Sequence, residues 1–282
     1  MDTLGKLFVD KRFAEYWTKY RGGEVGYIND IPFLHYYKRF PLILIVHSNH
    51  NYKTSILFQA VKKAVENKVA LLRFISDDYL DLNGCKHKTH YTLIIDLTKS
   101  IDDIFSSLKK STKQRIRRAD LNNLKLKICD NTSEFNDWWD NNYLKWAKGK
   151  KYAVESYEFI KAVFQEPDLS RLFLAYLDNK IIAGLFVIFS SDERGFIWIS
   201  SHDINYIDYC PDHFLQWEVI KWLKNNKFRV CDFGGLEHSK IFKEGFSREV
   251  STWHSYDFKF DPMISNSLEL FHKIKFNILR RY

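Results

Sequence analysis

Long apolar runs, paired cysteines and glycine fingerprints are all missing from this 282-residue chain. The longest apolar run, Ile181 to Phe189, is nine residues, where a bilayer span needs about 20. Met1 to Lys19 alternates charges with aromatics and carries no signal-peptide core, so neither a span nor a secretory leader is expected. The four cysteines show no C-x-x-C and no even spacing; a disulfide scaffold is not expected, and a reducing cytoplasm fits better. No two of the eleven glycines are separated by a single residue, and Gly22 and Gly26, the one pair four apart, flank Glu24. Dinucleotide fingerprints and the G-x-S-x-G nucleophile elbow are thereby removed. No glycine precedes Lys-Ser or Lys-Thr, and none of the ten histidines makes H-E-x-x-H. Cys85, His87 and His90, with His47 and His50 upstream, match no standard zinc spacing, so no metal is expected.

What is present is enough to build a core. Apolar residues are 45% and charged residues 28%, which excludes disorder as the main state. The length suits two modest domains or one large one. A net charge of +8 fits a polyanionic partner. The aromatic share of 17% must fill cores or line a cleft.

Along the chain, Leu42 to Val46, Val69 to Ile75 and Tyr91 to Leu97 read as strands, with a helix from Ser55 to Asn67. From Ser100 to Ala119 one apolar stripe (Ile101, Phe105, Leu108, Thr112, Ile116, Ala119) predicts a single helix whose other faces are basic. A strand at Leu124 to Cys129 and a helix capped by Ser133 follow, then a further helix from Glu155 to Gln165. An antiparallel meander comes next: Arg171–Leu177, Ile181–Phe189 and Gly195–Ser201. Pro211-Asp212 opens a helix over His213–Asn225, strands are expected at Phe228–Phe233 and Val250–Phe258, and a basic helix at Ile264–Arg281. The class is α/β, of the α+β kind with a mixed sheet.

The order of meander, helix, and strand ending in an open loop resembles the GNAT acyltransferase fold. Five motifs resemble one branch of it, the FemABX family of peptidoglycan-bridge aminoacyltransferases. They are Thr92 to Leu97 with Leu108 to Ala119, then Leu174-Ala175 with Ile182-Ala183-Gly184, then Pro211 to Glu218, Asp232-Phe233-Gly234-Gly235, and Phe242-Lys243-Glu244-Gly245-Phe246. The resemblance implies two GNAT-like domains, the first (1–97) short and divergent, the second (98–261) catalytic, with the helix 264–281 packing back on the first. It also implies no tightly bound cofactor and a donor that is aminoacyl-tRNA or acyl-CoA. The acceptor would be a primary amine of a cell-envelope precursor, lipid- or nucleotide-linked. The protein would be cytoplasmic, with peripheral membrane contact and tRNA among its partners.

Acyl transfer to an amine needs orientation, a proton sink and donors for the oxyanion. Lys243 is the candidate for neutralising the oxyanion or the donor's phosphate–ribose end, with Phe242 packed beneath it. Asp232, just before two glycines, is a candidate to accept or orient the amine proton, and His213 a candidate base. Trp198, Tyr206, Tyr209 and Glu218 are candidate substrate contacts. Six cations in ten residues, Lys109, Lys110, Lys113, Arg115, Arg117 and Arg118, are candidates to grip tRNA phosphate. No Gln or Arg has glycine three residues on, so the usual pyrophosphate loop of acetyl-CoA users is missing, and Asp212 would oppose a pyrophosphate. This favours aminoacyl-tRNA, or a divergent CoA mode, over ordinary acetyl-CoA. An acyl-CoA-dependent N-acyltransferase acting on a surface-polysaccharide amine and a noncatalytic RNA-binding protein remain as alternatives.

Overall fold

The computed structural model describes residues 11–28, 31–37, 41–48, 53–152, 154–190, 192–236 and 239–261. Among them the chain forms two compact units, one from 11–91, 156–159 and 251–261, the other from 92–155 and 160–250. The helix expected at 264–281 lies outside the described residues.

In the first unit, α1 (Lys11–Arg21) buries Phe13, Ala14 and Trp17 on one face. Trp17 meets Phe159 edge-on at 5.5 Å. Gly22 and Gly23, at φ 83° and 120°, turn the chain into β1 (Glu24–Ile28), a conformation that side chains with a Cβ resist. There follow β2 (Ile31–Tyr37), β3 (Pro41–Ser48), α2 (Lys53–Glu66), β4 (Leu71–Ser76) and β5 (Lys86–Asp96). In α2 Ile56, Ala60 and Ala64 are buried at four-residue steps, one stripe against the sheet. The parallel pair β3–β4 stays in register through six residue pairs, Ile43↔Leu71 to Ser48↔Ser76.

The second unit begins with residues 92–96 of β5. The single helix expected over Ser100–Ala119 is two, α3 (Ile101–Ser107) and α4 (Lys110–Leu121). The apolar stripe is continuous, yet Leu108 and Lys109 are extended, with ψ 149° and 146°. The reason is tertiary: the Lys109 N–H donates to the Gly245 carbonyl at 3.0 Å instead of continuing a helix. Next come β6 (Lys125–Ile128) and α5 (Thr132–Asp137). Its cap is Asn131, whose side chain accepts from the Glu134 N–H, rather than Ser133. The helix runs on through a π-helical turn, Trp138–Tyr143, into α6 (Leu144–Lys150). Then follow α7 (Tyr157–Phe164), β7 (Ser170–Leu177), β8 (Lys180–Ser190) and β9 (Arg194–His202). A 3₁₀ helix (Ile204–Tyr209) leads to α8 (Pro211–Asn225), β10 (Val230–Gly235) and α9 (Lys240–Phe246). Finally β11 (Glu249–Lys259) joins the first unit, pairing antiparallel with β4 from His254↔Ser76 to Lys259↔Leu71.

Strand order in the second unit is β5-β10-β9-β8-β7-β6, antiparallel except for β9–β10. Ile181 to Phe189 of β8 are buried without a break, as expected of a strand covered on both faces. Leu223 and Trp222 of α8 press on Gly195 and Phe173. The π-helical turn lies against β8, where a Cβ on Gly184 would stand 2.1 Å from Trp138 Nε1. Glycine at that position is what lets the indole reach the strand.

Candidate active site

Two parallel strands that stop pairing leave backbone groups and space between them. β9 and β10 pair at three positions only, Val230↔Arg194, Cys231↔Gly195 and Asp232↔Phe196. Beyond these β9 continues along β8 to His202, while β10 shifts register on β5 between Asp232 and Gly235. Gly234, at φ 72°, makes the bend. The equivalent pair of the first unit does not part within its six positions. The mouth therefore belongs to β9 and β10, and α8 and α9 start from its two lips.

Asp232, 2% exposed, fixes the β10 lip. Its Oδ1 accepts from the Thr92 hydroxyl and, at 2.8 Å, from the Gly234 N–H. Its Oδ2 accepts from Arg194 Nη1 at 2.8 Å. Burial works against the guanidinium charge, but Asp232 outweighs it and holds the Arg194 pKa up. With both oxygens taken, the carboxylate is a fixed negative charge.

Lys243 reaches back from α9 and donates to the Gly235 carbonyl at 2.6 Å. Burial lowers its pKa to about 8, against the pull of Asp232. A cation this close to losing its proton sits at the mouth, on the strand end that parts. Phe242 and Phe246, ring centroids 5.3 Å apart, pack beneath. His213 in the first turn of α8 lies edge-on to Phe242 at 4.9 Å. Burial, and then the charge of Arg115, lower its pKa to about 4, so its imidazole is neutral near physiological pH.

The structure thus gathers Lys243, Asp232, Phe242 and His213 and gives the other candidates partners elsewhere. Trp198 joins the aromatic layer under the π-helical turn, edge-on to Phe186 at 5.9 Å. Tyr206 and Tyr209 lie 5.8 Å apart on the 3₁₀ helix, with Lys180 Nζ 4.4 Å from the Tyr206 ring. Glu218 pairs with Lys221 at 2.6 Å. The cations of α4 divide between two faces. Lys110, Lys113 and Arg117, with Phe105, Ser106 and Gln114, line a depression of 240 Å³. Arg115 and Arg118 turn toward Cys210, whose thiol they pull down against the raising effect of burial. Lys109 lies 3.6 Å from Glu244.

Sequence reasoning missed Arg194, which reaches Asp232 from another strand, and the pair His202–Asp212. There Nδ1 of the imidazole is 2.7 Å from Oδ2 of the carboxylate. This pair occupies the start of α8, where the GNAT resemblance puts the donor's pyrophosphate. Proline spacing marked the helix start, but nothing in the sequence paired the carboxylate with a histidine ten residues back. Among the described residues no group of three or more His, Cys, Asp or Glu is placed to hold a metal, and no helix is long and apolar enough to cross a membrane.

Comparison with known proteins bears on this geometry. Residues 106–244, which hold the mouth, α8 and most of α9, match the model of the acetyltransferase (GNAT) domain. A lipid II:glycine glycyltransferase of Staphylococcus haemolyticus is 20% identical over 120 residues, 43% of this chain and 28% of that protein. The chain thus matches little more than a quarter of that relative's length. The fold is shared with the crystal structure of FemX, at a TM-score of 0.73 and 14% identity, over 93% of this chain and 94% of that one. It is shared too with the C-terminal domain of a putative lysylphosphatidylglycerol synthetase from Agrobacterium fabrum. That likeness has a TM-score of 0.65 and 12% identity, over 93% and 92% of the two chains. The GNAT domain thus lies over the parted strands, and the fold of FemX runs through nearly the whole chain.

Proposed function

We propose that the protein transfers an aminoacyl group from aminoacyl-tRNA to a primary amine of a peptidoglycan-type precursor, lipid- or nucleotide-linked, in the cytoplasm. The observation that carries this reading is the Lys243 ammonium held at the parted end of β10, above the buried Asp232–Arg194 pair. The amine nitrogen bonds to the ester carbonyl carbon, and negative charge gathers on the carbonyl oxygen. Lys243 neutralises that charge, and Asp232 keeps the lysine protonated against its burial. The ester C–O bond then breaks, and the ribose hydroxyl leaves with the proton that the amine gives up. His213, neutral and next to Phe242, is the group in this proposal that relays that proton. Asp232, with both oxygens engaged, acts through charge rather than as a base.

The donor assignment draws support from the start of α8. Acyl-CoA enzymes need that helix end open to pyrophosphate, and here Asp212 and His202 fill it. Arg115 and Arg118, beside the same helix, suit an RNA backbone. In this reading the first unit is the divergent GNAT-like domain and the second the catalytic one.

Incubation with a charged tRNA pool and a muropeptide precursor should add one aminoacyl residue to the precursor by mass. Transfer from acyl-CoA alone would overturn the donor assignment. Tight tRNA binding without turnover, indifferent to Lys243→Ala, would make the protein an RNA binder instead.

A further inference from the structure

One face of α4 departs from the usual electrostatics of a helix. Its cap, Lys109, makes no side-chain hydrogen bond, and the first turn holds no acidic residue. Lys110 and Lys113 stand there instead, and cations at the positive end of a helix dipole cost stability. Lys113 also repeats the charge of Lys110 three residues back and of Arg117 four residues on, a second unfavourable pattern. With Phe105, Ser106 and Gln114 these three cations line the 240 Å³ depression, and among the described residues no acidic side chain joins them. Charge placed against the local rules is expected where a ligand offsets it.

Two of the three cations are steadied from α3. Lys113 Nζ donates to the Ser106 carbonyl at 3.0 Å, which leaves two ammonium hydrogens over. The Arg117 guanidinium lies over the Phe105 ring, 5.9 Å from its centroid. The hollow they line is smaller than most small-molecule pockets and suits a single phosphate group. A terminal phosphate carries nearly two charges and three acceptor oxygens, a match for three cations. A phosphodiester carries one charge and runs along a surface rather than ending in a hollow.

The depression lies on the side of α4 away from its buried stripe, Thr112, Ile116 and Ala119, yet it neighbours the mouth. Phe105 meets Trp217 of α8 at 5.1 Å. Trp217 follows His213 by one turn of α8, and His213 is 4.9 Å from Phe242. We propose that the depression holds the 5′-terminal phosphate of the RNA whose 3′ end carries the aminoacyl ester. In a transfer RNA the two chain ends lie side by side. The 5′ end closes a duplex, and the 3′ end runs on as a short single strand. With the phosphate seated in the depression, that strand is left to reach Lys243 past the first turn of α8, while Arg115 and Arg118 face the duplex backbone. This inference rests on the proposed aminoacyl transfer and adds to it a contact with the end of the donor chain.

The test compares two synthetic acceptor-stem hairpins, one with a 5′-phosphate and one with a 5′-hydroxyl, each carrying a fluorophore in its loop. Their binding to the full-length protein is read by fluorescence anisotropy at one salt concentration. The phosphorylated hairpin should bind about tenfold tighter, since charge-assisted hydrogen bonds are gained. Lys113→Gln with Arg117→Gln should bring that ratio close to one. Arg115→Glu with Arg118→Glu should weaken both hairpins and keep the ratio. Equal binding of the two hairpins by the wild type, or a ratio that survives Lys113→Gln with Arg117→Gln, would overturn the proposal. Equal binding together with retention on phosphatidate vesicles would give the depression to a lipid headgroup instead. The readout needs no turnover, so a phosphate preference in a protein that transfers nothing would overturn the transfer reading alone. Transfer from 5′-dephosphorylated aminoacyl-tRNA with an unchanged KM would overturn this inference alone.

Discussion

Replacing Lys243 with methionine should stabilise the protein near neutral pH while it disables the site. The lysine's pKa falls from an ordinary 10.5 to about 8 because burial penalises its charge. That gap of about 2.5 pH units corresponds to about 3 kcal/mol as an upper figure. Below pH 8 the folded and unfolded chains both carry the proton, so the folded state bears the whole penalty. Between pH 8 and 10.5 the unfolded chain binds more protons than the folded one, and stability rises with pH. Urea unfolding of the wild type and Lys243→Met at pH 7 and pH 10 isolates the contribution. The variant should be about 1–3 kcal/mol more stable at pH 7, and most of that advantage should be gone at pH 10. Activity should run the other way, falling by about 10²–10³, as when an oxyanion donor is removed. In the wild type kcat/KM should decline above pH 8 as the ammonium loses its proton, and Lys243→Arg should push that limb upward. A variant that is less stable at pH 7, or an advantage that does not change with pH, would refute the electrostatic account.

Other consequences can be measured separately. Asp232→Asn leaves Arg194, whose side chain is 12% exposed, without its counter-charge; a loss of about 3–5 kcal/mol in chemical denaturation is expected. Gly184→Ala puts a methyl 2.1 Å from the buried Trp138 nitrogen, so stability should drop by about 1–3 kcal/mol or more, with a changed near-UV dichroism. Arg115→Glu with Arg118→Glu should weaken tRNA binding and flatten the plot of log K against log salt by about one unit per lost phosphate contact. An unaltered slope would remove the Arg115–Arg118 face of α4 from the RNA interface.

The parts of this molecule that a reader could find in the sequence are those governed by neighbours along the chain. Ile181 to Phe189 announces a doubly covered strand because each of its residues must be buried. Asp232 stands out because the glycines after it mark a bend, and Lys243 because it lies inside the F-K-x-G-F motif of the resemblance. The break between α3 and α4 was invisible, since the apolar stripe runs straight through it and only the distant Gly245 carbonyl interrupts it. Arg194 could not be paired with Asp232 without the register of β9 on β10. Asn142 sits in an ordinary-looking aromatic helix, and only a π-helical turn brings it inward.

The hydrogen bond from Lys109 to Gly245 has a mechanical side. A Cβ on Gly245 would come within 2.4 Å of Thr112 Oγ1, so the first turn of α4 lies directly on the backbone of α9. The rod that presents the arginines and the arm that carries Lys243 are therefore fastened at one joint. In the proposed transfer, a substitution that slackens this joint would shift the arm and its ammonium without touching any group that takes part in the chemistry.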